Sequence, residues 1–506
     1  MTESDTAPPE IAGGVVAPSP ASASIAAPAI RGSIWTLAGY AASQALRLAS
    51  NLVLTRLLFP EVFGQMALVS VFLQGLAMFS DVGTGPAIIQ SSRGDDPQFL
   101  NTAWTIQSGR GILLWLFSWV IAQPVASFYG QPLLFWLVPA AGLTAVMGGF
   151  ESTSMHTLQR HLRLGMLTVV DLFTQFLGIA AMIGLAFADR SLHGPNHPGA
   201  VWAIIGGSYV SSAGRLVLSH TVLPGIRHRI CLERDATRQL FRFGRWIFIS
   251  TMLTFLAAQS DRLVFGKMIP LSLFGVYGIA AMMATLPTQA VQRLGSAVIF
   301  PAYSRLAGSA GFKQLFERVR TPFLIGGAGI VSGLIACGPF LIRTLYDSRY
   351  EQAGWILQFL CATAWFQILE CTNGAALLAL GRVFWVAMGS AVKVIGMLVL
   401  IPLGFHFAGF PGALLGLVLA EAAKYLTSAA ASFRCGLPGF IHGLLLTAAI
   451  AGTSYAGIVA GRSFAGWRHG GIAGFLTAGI LAGGVWGAIG LVYLSRQKRT
   501  RGAAAG

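Results

Sequence analysis

Apolar runs of 18 or more residues recur along this chain from about residue 34 to residue 494. Each is long enough to cross roughly 30 Å of hydrocarbon as a helix. A soluble chain of 506 residues would divide into two or three domains. Composition excludes that reading: 55% of residues are hydrophobic and 10% charged, against roughly 25% charged in ordinary globular domains. The expected class is an all-α polytopic membrane protein. Fourteen candidate helices centre near residues 45, 75, 114, 145, 175, 210, 255, 285, 332, 367, 394, 421, 450 and 482. Twelve or thirteen spans remain the alternative if a segment is re-entrant.

The basic residues set an orientation. Of 34 Lys and Arg, seven fall in loops on one side: Arg56, Arg190, Lys267, Arg343, Arg349, Arg462 and Arg468. Seven more lie within candidate spans, and the other 20 fall on the opposite side. The richest loop there is 227-RHRICLERDATRQLFRFGR-245, with six arginines. Positive-inside topology then places both termini in the cytoplasm, with the basic loops against anionic lipid rather than nucleic acid. Residues 1–30, rich in Ala, Pro and Ser with three acids and no base, read as a disordered cytoplasmic tail. Residues 496–506 read as a basic tail.

Five cysteines show neither a CxxC nor a Cys/His ligand spacing, so no metal, cofactor or disulfide framework is expected. No GxxxxGK[ST], HExxH or GxSxG occurs, and outer loops are too short for a catalytic domain. The chain reads as a transporter, not an enzyme.

The sequence repeats. Residues 35–64 lie over 246–275 without a gap at an offset of 211, pairing Trp35 with Trp246 and Phe63-Gly64 with Phe274-Gly275. Residues 150–164 lie over 369–383 at an offset of 219, pairing Glu151 with Glu370. Six spans per copy keep the same orientation, which gives two lobes related by an axis along the membrane normal. The expected organisation is an N-lobe over 31–226, a basic cytoplasmic linker over 227–245 and a C-lobe over 246–435. A pair of extra helices follows over 436–495.

Charges inside the spans are costly, roughly 2.5–3.5 kcal/mol each at bilayer centre on insertion scales. The bases are Arg47, Arg110, Arg215, Arg262, Arg293, Lys393 and Lys424; the acids are Asp81, Glu151, Asp171, Asp261, Glu370 and Glu421. On the first helix Tyr40, Gln44, Arg47, Asn51 and Thr55 share one face, as do Gln289, Gln292, Arg293 and Ser296 on the eighth. A cavity lined by helices one, two, seven and eight accommodates both stripes. Guanidinium groups there suit an anionic phosphate substrate. Arg47, Arg293, Arg110, Arg262 and Arg215 are the candidate ligands, and Gln44, Asn51, Gln289 and Gln292 the polar lining. The bland alternative is ion pairs that tie helices together, with Arg47 or Arg110 meeting Asp81. Asp81, Glu151, Glu370, Asp171 and Asp261 are gate or ion-coupling candidates, and Glu421 is expected to neutralise Lys424 three residues on.

The runs 55-TRLLFPEVFG-64, 79-FSDVGTGPAIIQ-90, 100-LNTAW-104 and 128-FYGQP-132 resemble the amino-terminal signature of Wzx-type polysaccharide and O-antigen flippases. Those belong to the multidrug/oligosaccharidyl-lipid/polysaccharide exporter superfamily. Stretches 258–280, 298–306 and 353–359 are similar to the same family, and the likeness runs from about residue 31 to 430. It implies a V-shaped two-lobe transporter in the bacterial inner membrane that flips a polyprenyl-diphosphate-linked oligosaccharide. Capsule, exopolysaccharide or O-antigen assembly, with a polysaccharide polymerase and chain-length proteins as partners, is the implied setting. An ion-coupled multidrug antiporter of the same superfamily is the rival.

Overall fold

The computed structural model describes residues 20–79, 83–194, 197–295, 299–309, 311–463 and 472–503. All regular structure among them is helical. The first lobe contains α1 (Pro20–Leu57), α2 (Pro60–Phe79), the short α3 (Thr84–Gln90), α4 (Pro97–Tyr129), α5 (Leu134–Gly149), the short α6 (Ser154–Arg160), α7 (Leu164–His193) and α8 (Val201–Thr221). The second contains α9 (Arg234–Met268), α10 (Leu271–Leu294), the short α11 (Phe300–Leu306), α12 (Phe312–Leu345), α13 (Ala353–Ala379) and α14 (Val383–Arg434). Non-helical backbone at Ala408 and Gly409 folds α14 into two segments. Helices α15 (Phe440–Ser463) and α16 (Ile472–Ala503) follow. Counting α14 twice, the described long segments coincide with the fourteen expected from sequence.

Among the described residues, eight of these helices are apolar and long enough to cross a membrane by composition alone, α14 being one. Three of the others fall short for physical reasons. Polar residues on α1 and α13, among them Gln44, Arg47 and Asn51 on the one and Gln358, Gln367 and Glu370 on the other, lower their hydropathy, and α5 is short, bending by 59° into α6.

The repeat is visible in helix boundaries. Helix α2 starts at Pro60 and α10 at Leu271, an offset of 211; α7 starts at Leu164 and α14 at Val383, an offset of 219. These are the two registers read from sequence, and the shift between them is absorbed in the intervening loops. Within the first lobe α4 packs on α5, α7 on α8 and α1 on α7; in the second α12 packs on α13 and α13 on α14. The lobes meet where α2 lies against α9 and α10. Helices α15 and α16 pack on α12, α16 through small side chains, Ala478 and Ala482 against Ala336 and Cys337. Close approach of that kind drives helix association where the surroundings are already apolar.

Three boundaries differ from the sequence reading. Helix α1 extends back to Pro20, so the last third of the supposed disordered tail is helical. Helix α9 begins at Arg234, which makes most of the basic linker its first turns. Helix α16 runs to Ala503 through most of the basic tail. In each case Arg, Ala or Gln continue a helix into the aqueous layer at little cost in propensity.

Candidate functional site between the lobes

The lobes close on each other at one end. Helices α1 and α9 finish there, and tight turns lead into α2 and α10. Gly64 and Gly275, equivalent in the repeat, press backbone on backbone. A Cβ on Gly64 would lie 2.3 Å from the Leu271 carbonyl oxygen, and one on Gly275 would lie 1.8 Å from that of Pro60. No side chain fits in either place. Around this contact Arg349 of the second lobe donates to the carbonyls of Thr55 (2.7 Å) and Leu58 (3.3 Å) in the first. Tyr129 of the first lobe donates to the Leu263 carbonyl of the second at 3.1 Å.

Away from that end α1 and α10 meet through long polar side chains. Tyr40 donates to Gln289 Oε1 at 2.8 Å, and Gln44 Nε2 donates to the same oxygen at 2.9 Å. The Arg293 guanidinium carbon lies 3.7 Å from the Tyr40 ring centroid, a cation–π contact across the lobes. Further along, Asn51 Nδ2 approaches Met282 Sδ at 3.0 Å. Gln74 of α2 accepts from Gln259 of α9 at 2.7 Å. Arg47 sits on the α1 stripe between the Gln44 and Asn51 bridges. It is exposed, and its guanidinium has no hydrogen bond or ion pair among the described residues. Gln292 is exposed beside Arg293. The two sequence stripes therefore do face each other, with Arg47 and Arg293 on opposite lobes.

The other candidates are placed elsewhere. Arg110 donates to the Ala77 carbonyl at 2.7 Å, holding the end of α2 to α4. Arg215 bridges Glu151 (3.1 Å) and Asp171 (3.3 Å) inside the first lobe. That occupies its guanidinium with two carboxylates and leaves little of it to offer an anion. Arg262 points into a separate cavity of about 110 Å³ within the second lobe, together with Asp261, Tyr277, Gln367, Lys393 and Glu421. There the Tyr277 hydroxyl donates to Asp261, and Lys393 pairs closely with Glu421, which also accepts from Gln367 at 2.7 Å. Asp81 lies outside the described residues.

Glu421 and Lys424 do not neutralise each other. Lys393 holds Glu421, and Lys424 reaches Glu370 at 3.5 Å. Three residues apart on one helix, the two side chains point at different neighbours, and those neighbours decide the pairing. Glu151 and Glu370, matched in the repeat, each meet a base from the last helix segment of their own lobe. They stitch lobes internally rather than gate the space between them. Arg349 and the Gly64–Gly275 contact were not singled out from sequence, although the glycines stood at matched positions of the repeat.

Comparison with known proteins agrees with this architecture. Residues 53–354, more than half of the chain, match the family model described as polysaccharide biosynthesis protein. This chain belongs to that family. Among its relatives, the succinoglycan biosynthesis transport protein ExoT of Rhizobium meliloti is 22% identical over 427 residues, 82% of each chain. The lipopolysaccharide biosynthesis protein WzxC of Escherichia coli is 21% identical over 78% of each. The teichuronic acid biosynthesis protein TuaB of Bacillus subtilis is 23% identical over 60% of this chain, but the match spans only 61% of that protein. Among solved structures, the inward closed lipid II flippase MurJ superposes with a TM-score of 0.67 at 14% identity, covering 91% of this chain and 99% of its own. An inward-facing multidrug resistance MATE transporter gives 0.60 at 15% identity over 81% and 96%. The family member described here thus has the two-lobe helical fold of that transporter superfamily and is a multi-pass membrane protein.

Proposed function

We propose that this protein flips a polyprenyl-diphosphate-linked oligosaccharide across the bacterial inner membrane by alternating access, for capsule, exopolysaccharide or O-antigen assembly. The observation that carries the reading is Arg47. It is a membrane-embedded guanidinium with no carboxylate partner among the described residues, on a stripe that faces Arg293 of the other lobe. A charge so placed is stable only facing water, protein or an anion. A diphosphate supplies the anion, and guanidinium binds it bidentately while staying charged. The glycan would then sit in the aqueous space along Gln44, Gln289 and Gln292, with the prenyl tail in lipid.

With both termini cytoplasmic, the end closed by Gly64, Gly275 and Arg349 is the outer end, and the Arg47 stripe opens inward. Rocking of the lobes about α2 and α10 would break the outer contact and expose the anion to the other leaflet. Anionic lipid would lie against the basic cytoplasmic turns. A polysaccharide polymerase and chain-length proteins would take up the product. The relatives' roles in polysaccharide biosynthesis and transport support this reading. The fold is shared with multidrug transporters, so the drug-antiporter alternative is separated by substrate, not by architecture.

The test reconstitutes the protein in liposomes with a fluorescent undecaprenyl-diphosphate oligosaccharide in one leaflet. Protein-dependent leaflet transfer that drops at least tenfold in Arg47→Ala, at equal protein incorporation, is the expected result. Transfer unaffected by Arg47→Ala would make that residue structural. No transfer together with ion-coupled efflux of organic cations would overturn the flippase reading.

A further inference from the structure

We infer that the turn joining α7 to α8 is a binding site for a divalent transition metal of the zinc class, held by Asp189, His193 and His197. Asp189 and His193 lie four apart on the last turn of α7 and so share a face. The helix ends at His193. Gly194, at φ +85°, takes a left-handed conformation that side-chain-bearing residues rarely adopt. His197 lies three residues on and turns back over Asp189.

The ligand atoms converge. His193 Nδ1 is 3.2 Å from Asp189 Oδ1, and His197 Nδ1 is 3.0 Å from the same oxygen. One ligand atom from each residue falls within 4.8 Å of the others. In a tetrahedral shell with bonds of roughly 2.0–2.1 Å, adjacent ligand atoms stand about 3.3 Å apart. Both separations are close to that edge. The two imidazoles stack with centroids 4.3 Å apart and planes within 16°, so one ring turns out of the stack for both in-plane nitrogen lone pairs to meet at one ion. Gly199 makes room for the His197 ring: a Cβ there would lie 2.5 Å from His197 Cε1 and 2.7 Å from its Nδ1.

The donor set selects the metal. Two imidazole nitrogens and one carboxylate suit zinc, nickel or copper, whereas calcium and magnesium prefer all-oxygen shells. The partial exposure of the three side chains leaves a fourth position for water and an entry path. None of the residues assigned to transport lies on this turn. Arg190, beside Asp189, donates to the Arg56 carbonyl at 2.9 Å, so the same turn is already tied to the end of α1. A bound ion would add a clasp joining α7 to the approach of α8 on the rim of the first lobe. This geometry holds whichever side of the membrane the turn faces.

The test titrates zinc alone into the purified, tag-free full chain in detergent, with cobalt(II) as a spectroscopic probe of coordination geometry. The expected result is one zinc per chain, weakened at least about 100-fold in the double variant His193→Ala/His197→Ala. A tetrahedral cobalt absorption should disappear in parallel, and zinc should raise the unfolding temperature of the wild type only. Asp189→Asn, which keeps the side-chain shape, carries the test if the double variant does not fold. Zinc binding equal in wild type and variants, or a cobalt spectrum indifferent to them, would overturn the assignment.

Discussion

At the scale of single residues, the same chemical group plays opposite parts according to what surrounds it. Arg215 spans two carboxylates and serves the interior of a lobe, while Arg47, exposed on the α1 stripe that meets α10, has no carboxylate partner among the described residues. Lys393 and Glu421 show the energetic stake. Both are buried, and Gln367 adds a hydrogen bond to the carboxylate. Removing one partner strands the other charge, typically at a cost of about 3–5 kcal/mol, whereas replacing both together costs far less. Lys393→Met should therefore lower the unfolding temperature sharply, and Lys393→Met/Glu421→Gln should recover most of the loss. A double variant no more stable than the single one would show that the pair is not coupled.

At the scale of elements, the non-helical connection from α8 to α9 is docked as an extended strip on α4. The amides of Arg229, Cys231 and Glu233 donate to Asn101 (3.0 Å), Thr105 (3.0 Å) and Thr102 (3.2 Å). His228 stacks on Trp104 with centroids 5.3 Å apart, and its Nε2 accepts from the Thr153 amide at 3.2 Å. Burial, with His220 nearby, pushes the His228 pKa down to about 4. An unfolded histidine titrates near 6.5. The folded value is the lower one, so the docked strip is fully stable above about 6.5 and loses stability as pH falls from there toward 4. Trp104 fluorescence should report this as a change over that window that is absent in His228→Gln. A pH profile identical in the variant would remove His228 as the cause.

At the scale of the whole molecule, the lobes meet where α2 lies along α9 and α10. Leu58, Val62 and Leu68 share one apolar core with Phe265, Phe274 and Tyr277, and the backbones of the two lobes come closest at one end. Gly64 and Gly275 form the centre of that close approach, with Arg349 bridging the lobes beside them. Gly64→Val would place a branched side chain against the Leu271 carbonyl, which backbone cannot yield without moving the lobes apart. Spin labels at Glu61 and Ser272 should then show a longer, broader distance distribution than in the wild type. An unchanged distribution would mean that the closed end tolerates the added volume and does not pivot there.

The helices, their number, the two registers of the repeat and the polar stripes on α1 and α10 were legible in the sequence. They depend on hydropathy and on spacing along a helix, both local properties. Arg47 and Arg293 were legible as members of those stripes. What only the tertiary structure decided was partnership. It placed Arg215 between Glu151 and Asp171, turned Arg262 into a cavity of its own lobe, and gave Glu421 to Lys393 rather than to Lys424. It also brought His197 back over Asp189, beyond the end of the helix that carries Asp189 and His193. A side chain pairs with whatever stands opposite it, and what stands opposite comes from another helix, at a sequence distance that periodicity does not record.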